Sequence, residues 1–169
     1  QIVYSAMCYE NGTMFDDGTL LRLSETGFRW ICGDEYAGEW LKEQAKKKNF
    51  KVVIKNSTDQ INNISVQGPN SKKILEKIIF TPPTQPSISE LQWFRFTICR
   101  LEELNGIPLI VSRTGYTGEL GYEVWCHPDH APQVWDKVME AGKNDGLIPA
   151  GFGALDLLRI EAGLVLFGN

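Results

Sequence analysis

The stretch Ile2-Val3-Tyr4-Ser5-Ala6-Met7-Cys8-Tyr9-Glu10-Asn11-Gly12-Thr13-Met14-Phe15-Asp16-Asp17-Gly18-Thr19-Leu20-Leu21-Arg22-Leu23 decides the fold class. Ile2 to Tyr9 reads as a strand, Asn11-Gly12 is the strongest short-range hairpin signal, and Met14 to Leu23 reads as the returning strand. With Asn11-Gly12 as a two-residue turn, Glu10 faces Thr13, Ala6 faces Asp17 and Tyr4 faces Thr19. Tyr4 then lies diagonal to Asp17 on one face, within side-chain reach. Asp16 points to the other face because strand side chains alternate. The pair is therefore one carboxylate on each side of a sheet, not a dyad. Its plainest reading is an acidic edge near a turn that discourages aggregation.

Outward from this hairpin the pattern continues in the same style. Glu25-Thr26-Gly27 turns into a third strand, Phe28 to Cys32. Asp34 can cap a helix whose apolar face is Tyr36, Ala37, Trp40, Leu41 and Ala45. Phe50 to Lys55 and Ile61 to Gln67 read as strands, followed by a helix carrying Ile74, Leu75, Ile78 and Ile79. Thr81 to Pro86, with three prolines, is a linker or long loop. Ser87 to Trp93 reads as a short helix. Arg95 to Leu104 and Pro108 to Arg113 form a second hairpin around Asn105-Gly106. Gly115 to Gly121 is a glycine-rich loop and Tyr122 to Cys126 a strand. Ala131, Val134, Trp135 and Val138 mark a helix, and Pro149 leads a last one through Leu155, Leu158 and Ala162. Hairpins mixed with helices, without strict strand–helix alternation, predict an α+β fold of mixed antiparallel sheets with packed helices.

The chain has 169 residues and a formal net charge of −4, a balance that argues against nucleic acid as a partner. No apolar run is long enough to span a bilayer, so no membrane role is expected. Lys42, Lys46, Lys47, Lys48, Lys51, Lys55, Lys72, Lys73 and Lys77 crowd the middle. They read as solvated helix faces, the sharper alternative being a dock for an anionic ligand tail. The four cysteines, Cys8, Cys32, Cys99 and Cys126, form no CxxC and have no zinc spacing. They point to a reducing compartment, cytoplasm or mitochondrial matrix. His127 and His130 flank Pro128-Asp129 and read as a solvated helix entry, so no metal is expected. The apolar character of both chain ends leads us to expect a piece of a longer protein.

Two further segments could carry chemistry. In Arg113-Thr114-Gly115-Tyr116-Thr117-Gly118-Glu119-Leu120-Gly121-Tyr122-Glu123 the glycines let backbone approach a ligand closely. The loop is not a phosphate loop, since no Gly-Lys-Ser/Thr follows and a strand succeeds it. Glu123 shares a face with Trp125, and a carboxylate beside an aromatic wall suits a flat aminated heterocycle through two parallel N–H bonds. The alternative is a cross-strand ion pair. In Gly151 to Gly163, Asp156 and Arg159 are spaced to pair on a helix surface.

Phe15-Asp16-Asp17-Gly18, Val66-Gln67-Gly68-Pro69, the Arg113 to Glu123 segment and Leu158-Arg159-Ile160-Glu161-Ala162-Gly163-Leu164 together resemble the glycine-cleavage T-protein (aminomethyltransferase) family. Their order and spacing fit nearly the whole chain. The resemblance implies a folate-binding cloverleaf, with residues 1–57 part of its second domain, 58–163 the later part of a discontinuous first domain, 164–169 the return to the second, and the C-terminal barrel domain absent. It implies tetrahydrofolate as cofactor and a lipoylated carrier protein as one partner. Residue by residue, it implies that Asp17 is catalytic and that Tyr4, Tyr116 and Glu123 bind folate. The chain departs from the glycine-cleavage pattern at Leu155, where those T-proteins carry arginine. Relatives fused to sarcosine or dimethylglycine oxidases also lack that arginine and resemble this chain in Asp-Asp-Gly and Thr-Gly-Glu-Leu-Gly. The implied function is transfer of a one-carbon unit, an aminomethyl group in the T-protein case, to folate. The alternatives are a folate-dependent demethylase, the folate domain of an oxidase-like protein, or a non-catalytic folate-binding scaffold.

Overall fold

A computed structural model describes residues 1–168. The chain divides into two compact units, one formed by Gln1–Thr58 together with the segment from Leu166 onward, the other by Asp59–Val165.

In the first unit, β1 (Ile2–Cys8), β2 (Met14–Arg22) and β3 (Phe28–Cys32) make an antiparallel sheet in that order. Tyr4 pairs with Thr19 and Ala6 with Asp17, the register expected from the sequence. The turn that produces it differs from the two-residue one. Tyr9 N donates to Thr13 O and Gly12 N to Tyr9 O, so Glu10, Asn11 and Gly12 form a three-residue loop with Gly12 left-handed at φ +85°. That is the turn-plus-left-handed-residue connection in which glycine carries no steric cost. It moves the register by one, and a bulge at Phe15 moves it back, since Cys8 pairs with Met14 and Met7 with Asp16. The bulged Phe15 is buried and stacks on Trp40, centroids 5.4 Å apart.

Helix α1 (Ala37–Lys47) brings that tryptophan to the sheet. Asp34 Oδ1 accepts from Tyr36 N at 2.7 Å, capping the turn that leads in. Lys46 and Lys47 in its last turn complement the helix dipole. The strand expected over Phe50 to Lys55 does not form. The sheet of this unit ends at β1 and β3, neither of which pairs with it, and Val53 is 98% exposed. Strand propensity without a partner edge leaves extended chain.

In the second unit, β4 (Asn62–Gln67), α2 (Ser71–Glu76), β5 (Ile79–Phe80), β6 (Phe96–Leu101), β7 (Pro108–Ser112) and β8 (Gly121–Cys126) are followed by α3 (Ala131–Gly142) and α4 (Phe152–Glu161). The sheet is antiparallel throughout, ordered β4-β8-β7-β6-β5. One face supplies Ile64, Val66, Tyr122, Val124, Val111, Leu109 and Cys99 to a core closed by Leu75 of α2 and Val134 and Val138 of α3. Fully burying each such aliphatic side chain contributes about 1.5–3 kcal/mol. The α+β class and antiparallel sheets are as the sequence implies.

Three expectations fail here. The second helix ends at Glu76, so Ile78 and Ile79 both lie beyond it, and Ile79 starts β5. Ser87 to Trp93 makes one turn rather than a helix, with Leu91 N reaching Ser87 O and the Ser87 amide and hydroxyl both donating to Glu90. Those donors hold the Glu90 carboxyl below the usual range. The capping pair satisfies itself, leaving nothing to propagate. Trp135 is 42% exposed, so α3 packs through Val134 and Val138 instead. Among the described residues no helix is long and apolar enough to cross a membrane.

Candidate functional site

Each unit carries one polar cluster around residues singled out from the sequence. In the first, the Tyr4 hydroxyl donates to Asp17 Oδ2 at 2.7 Å. This is the diagonal contact that alternation along β1 and β2 requires. Both side chains reach solvent, Tyr4 as an exposed ring and Asp17 as a half-buried carboxylate.

Asp16 is not a surface acid. It is 2% exposed. Its Oδ1 accepts from Asp17 N at 2.8 Å and its Oδ2 from Asp34 N at 2.9 Å. A buried carboxylate without a cation must be satisfied by such dipoles, and no local sequence signal marks it, because the second donor lies eighteen residues away. Cys32 lies beside it. Burial, with the nearby Asp16 carboxylate, pushes the Cys32 thiol up to about 11, so this sulfur stays protonated at neutral pH.

In the second unit, Glu123 projects from β8 on the face opposite the core. Ser65 of β4 and Ser112 of β7 stand directly across from it. Asn63 Nδ2 donates to Glu123 Oε1 at 2.7 Å, and Thr114 Oγ1 donates to Oε2. No cation pairs with Glu123 among the described residues, so the cross-strand ion pair is not what holds it. Behind it, Ser112 Oγ and Thr114 Oγ1 share a 2.8 Å hydrogen bond, and Trp125 Nε1 donates to Ser112 Oγ at 3.1 Å. Neutral donors thus fix the carboxylate's direction while leaving its charge uncompensated and each oxygen a further lone pair. Sequence reasoning missed Asn63 and Thr114. Asn63 is sixty residues away in the chain, and Thr114 has the pattern of an ordinary loop residue.

The glycines of that loop serve packing more than expected. A Cβ on Gly115 would stand 2.1 Å, and one on Gly121 1.7 Å, from Gln67 Oε1. The Gln67 amide fills this space, its Nε2 donating to Ser65 Oγ, Thr114 O and Tyr122 O. Only Gly118, at φ +74°, is required by backbone conformation. Tyr116 from the same loop is half-buried, and its hydroxyl donates to Val165 O. Asp156 and Arg159 pair on α4 as spaced, at 2.8 Å, and Leu155 on that helix is partly buried.

Two other expectations resolve into structure. Lys73 and Lys77 both pair with Asp145, which holds its carboxyl below the usual range. Those two lysines tie α2 to the turn after α3 rather than forming a free anion dock. His127 caps its own turn, its Nδ1 accepting from Asp129 N at 3.3 Å. All four cysteines are free thiols. No group of His, Cys, Asp and Glu that could hold a metal occurs among the described residues.

Two antiparallel-sheet units, one bearing a tyrosine–aspartate pair and the other a glutamate held by neutral donors, define an α+β architecture. The whole of it, residues 1–169, matches the family model described as GCVT N-terminal domain, and the chain belongs to that family. It is 54% identical over 99% of its length to a trimethylamine-oxide aldolase of Ruegeria pomeroyi, covering 21% of that protein. It is 38% identical over its full length to an aminomethyltransferase of Alkaliphilus metalliredigens, covering 44% of it. The crystal structure of the glycine cleavage system aminomethyltransferase T from Bartonella henselae superposes with a TM-score of 0.73 at 25% identity, over 98% of this chain and 42% of that one. The chain thus spans less than half of each of these relatives, which by name are enzymes.

Proposed function

We propose that this chain is the tetrahydrofolate-binding part of a one-carbon transferase, in which a carbon at the oxidation level of formaldehyde is joined to folate nitrogen. The observation that carries the reading is Glu123: a half-buried carboxylate aimed by Asn63 and Thr114, beside Trp125, with no cation among the described residues to neutralise it. Such a group suits the paired N–H donors of an aminopyrimidine edge. Tyr4 and Tyr116 are the proposed aromatic contributors to folate binding. Asp17, reached by the Tyr4 hydroxyl, is the proposed catalytic residue. Its carboxylate stabilises the cationic carbon as folate nitrogen captures it and helps remove the proton from that nitrogen.

For an aminomethyl donor on a lipoylated carrier, carbon–sulfur and carbon–nitrogen bonds break, ammonia leaves, the carrier regains its thiol and 5,10-methylene-tetrahydrofolate forms. A second reading is favoured by the 54% identity to a trimethylamine-oxide aldolase. Cleavage of such an N-oxide at one methyl group balances as dimethylamine plus formaldehyde, and tetrahydrofolate condenses with formaldehyde to 5,10-methylene-tetrahydrofolate and water. Leu155 stands where the glycine-cleavage T-proteins carry arginine, so a charged contact to folate or substrate that those proteins have is missing here. The folate role of the chain is the same in both.

Full-length protein supplied with tetrahydrofolate and either donor separates the readings by which one yields 5,10-methylene-tetrahydrofolate. In the productive reaction, Asp17→Asn should lower turnover by roughly 10²–10⁴-fold with folate affinity little changed. Normal turnover in that variant removes Asp17 from the mechanism.

A further inference from the structure

We infer that Asp16, the carboxylate on the far side of β2, is a positioning residue that aims Asp17. The inference rests on the catalytic role proposed for Asp17 and adds a residue that neither the family match nor the relatives' names assign. Asp16 is 2% exposed, so it touches no substrate, and it has no cationic partner among the described residues. Such a group is costly to bury and persists only where its oxygens are hydrogen-bonded.

Its two oxygens are used for different purposes. Oδ1 takes the backbone N–H of Asp17 at 2.8 Å. Oδ2 takes the backbone N–H of Asp34 at 2.9 Å. Asp34 is itself fixed, with its Oδ1 on Tyr36 N at 2.7 Å and its carbonyl accepting from Ala37 N at the start of α1. The backbone of Asp17 is thereby tied through one carboxylate to the base of a helix.

The tie is placed where β2 would otherwise be least defined. Phe15 is the bulged residue, and a bulge bends the strand and re-aims the side chains that follow it. Asp17 follows two residues later, at the point where regular pairing has just resumed with Ala6. Asp16 holds its backbone from one face while the Tyr4 hydroxyl holds Oδ2 of its side chain from the other. Gly18, next along, lies close against β3, where a Cβ would stand 2.0 Å from Ile31 O. A carboxylate restrained at backbone and side chain keeps its orientation without reorganising during the reaction, which is the condition for electrostatic catalysis.

The test is a double-mutant cycle of Asp16→Asn and Asp17→Asn in the full-length protein, read as kcat, KM for tetrahydrofolate and folate-binding stoichiometry. Asparagine in place of Asp16 keeps one oxygen acceptor and the side chain's size. The expected result is a kcat lowered about ten- to hundredfold, as for a small misplacement of a reacting group. KM and stoichiometry should be unchanged, and on the Asp17→Asn background the second substitution should have no further effect. A purely scaffolding Asp16 behaves otherwise: equal losses on both backgrounds, lost folate sites, or an unfolded variant, and any of these overturns the inference. Normal turnover by Asp17→Asn alone would instead overturn the catalytic assignment of Asp17, and the positioning role with it.

Discussion

Replacing Gly121 with alanine asks whether the glycine-rich loop is built for packing or for ligand approach. The added Cβ would stand 1.7 Å from Gln67 Oε1 and 2.2 Å from its Cδ, against ordinary contacts of about 3.5–4 Å. Gln67 must therefore swing away, and its Nε2 leaves Ser65 Oγ, Thr114 O and Tyr122 O. An amide nitrogen has two N–H groups, so at most two of those bonds are fully made at once. At about 0.5–1.5 kcal/mol each the loss is ~1–3 kcal/mol. Alanine returns roughly 0.5–1 kcal/mol relative to glycine within a strand, leaving a net destabilisation centred on about 1 kcal/mol within a range of about 0–2.5 kcal/mol. Urea denaturation of Gly121→Ala, Gln67→Ala and the double variant measures it. With Gln67 shortened the obstacle is gone, and Gly121→Ala should then be neutral or stabilising. Unchanged stability in the single variant, or the same cost in both backgrounds, refutes the packing argument. Unchanged stability with weakened folate binding would restore the close-approach reading.

Other expectations follow from the same contacts. Thr114→Val preserves shape but strips Glu123 Oε2 and Ser112 Oγ of their shared hydroxyl. It should cost about 1–3 kcal/mol in stability and weaken folate binding in calorimetry. Asp145 is held below the usual carboxylate range by Lys73 and Lys77. Its contribution to stability is therefore present above the unfolded-state value and lost as pH falls through the depressed one. Asp145→Asn should be less stable than the parent at neutral pH and converge with it in acid. Burial pushes the Cys99 thiol up to about 12, so stability should decline as pH rises from the unfolded thiol value towards that figure, and Cys99→Ala should lessen the decline.

The pairing of Tyr4 with Asp17 was legible because strand alternation and a turn signal suffice to place a diagonal. The turn itself was not. A three-residue loop and a bulge at Phe15 shift the register in opposite senses and cancel, so a simpler turn predicts the same contact. The face of Glu123 was legible from period-two alternation in β8. Its holders were not, because Asn63 reaches it through a strand pairing that local pattern does not encode. Asp16 read as a surface acid because burial depends on Asp34 returning from eighteen residues away to meet it. Phe50 to Lys55 has the composition of a strand, yet a strand also needs a pairing partner, and neither edge of its unit's sheet, β1 or β3, pairs with it.

Folate binding is the central claim, and calorimetric titration of the full-length protein with 5-formyl-tetrahydrofolate tests it most directly. The expected result is saturable binding that weakens in Glu123→Gln by about 1.5–3 kcal/mol, roughly ten- to a hundredfold in Kd, because the variant surrenders the uncompensated charge that Asn63 and Thr114 hold in place. Absence of binding, or identical affinity in Glu123→Gln, would contradict it.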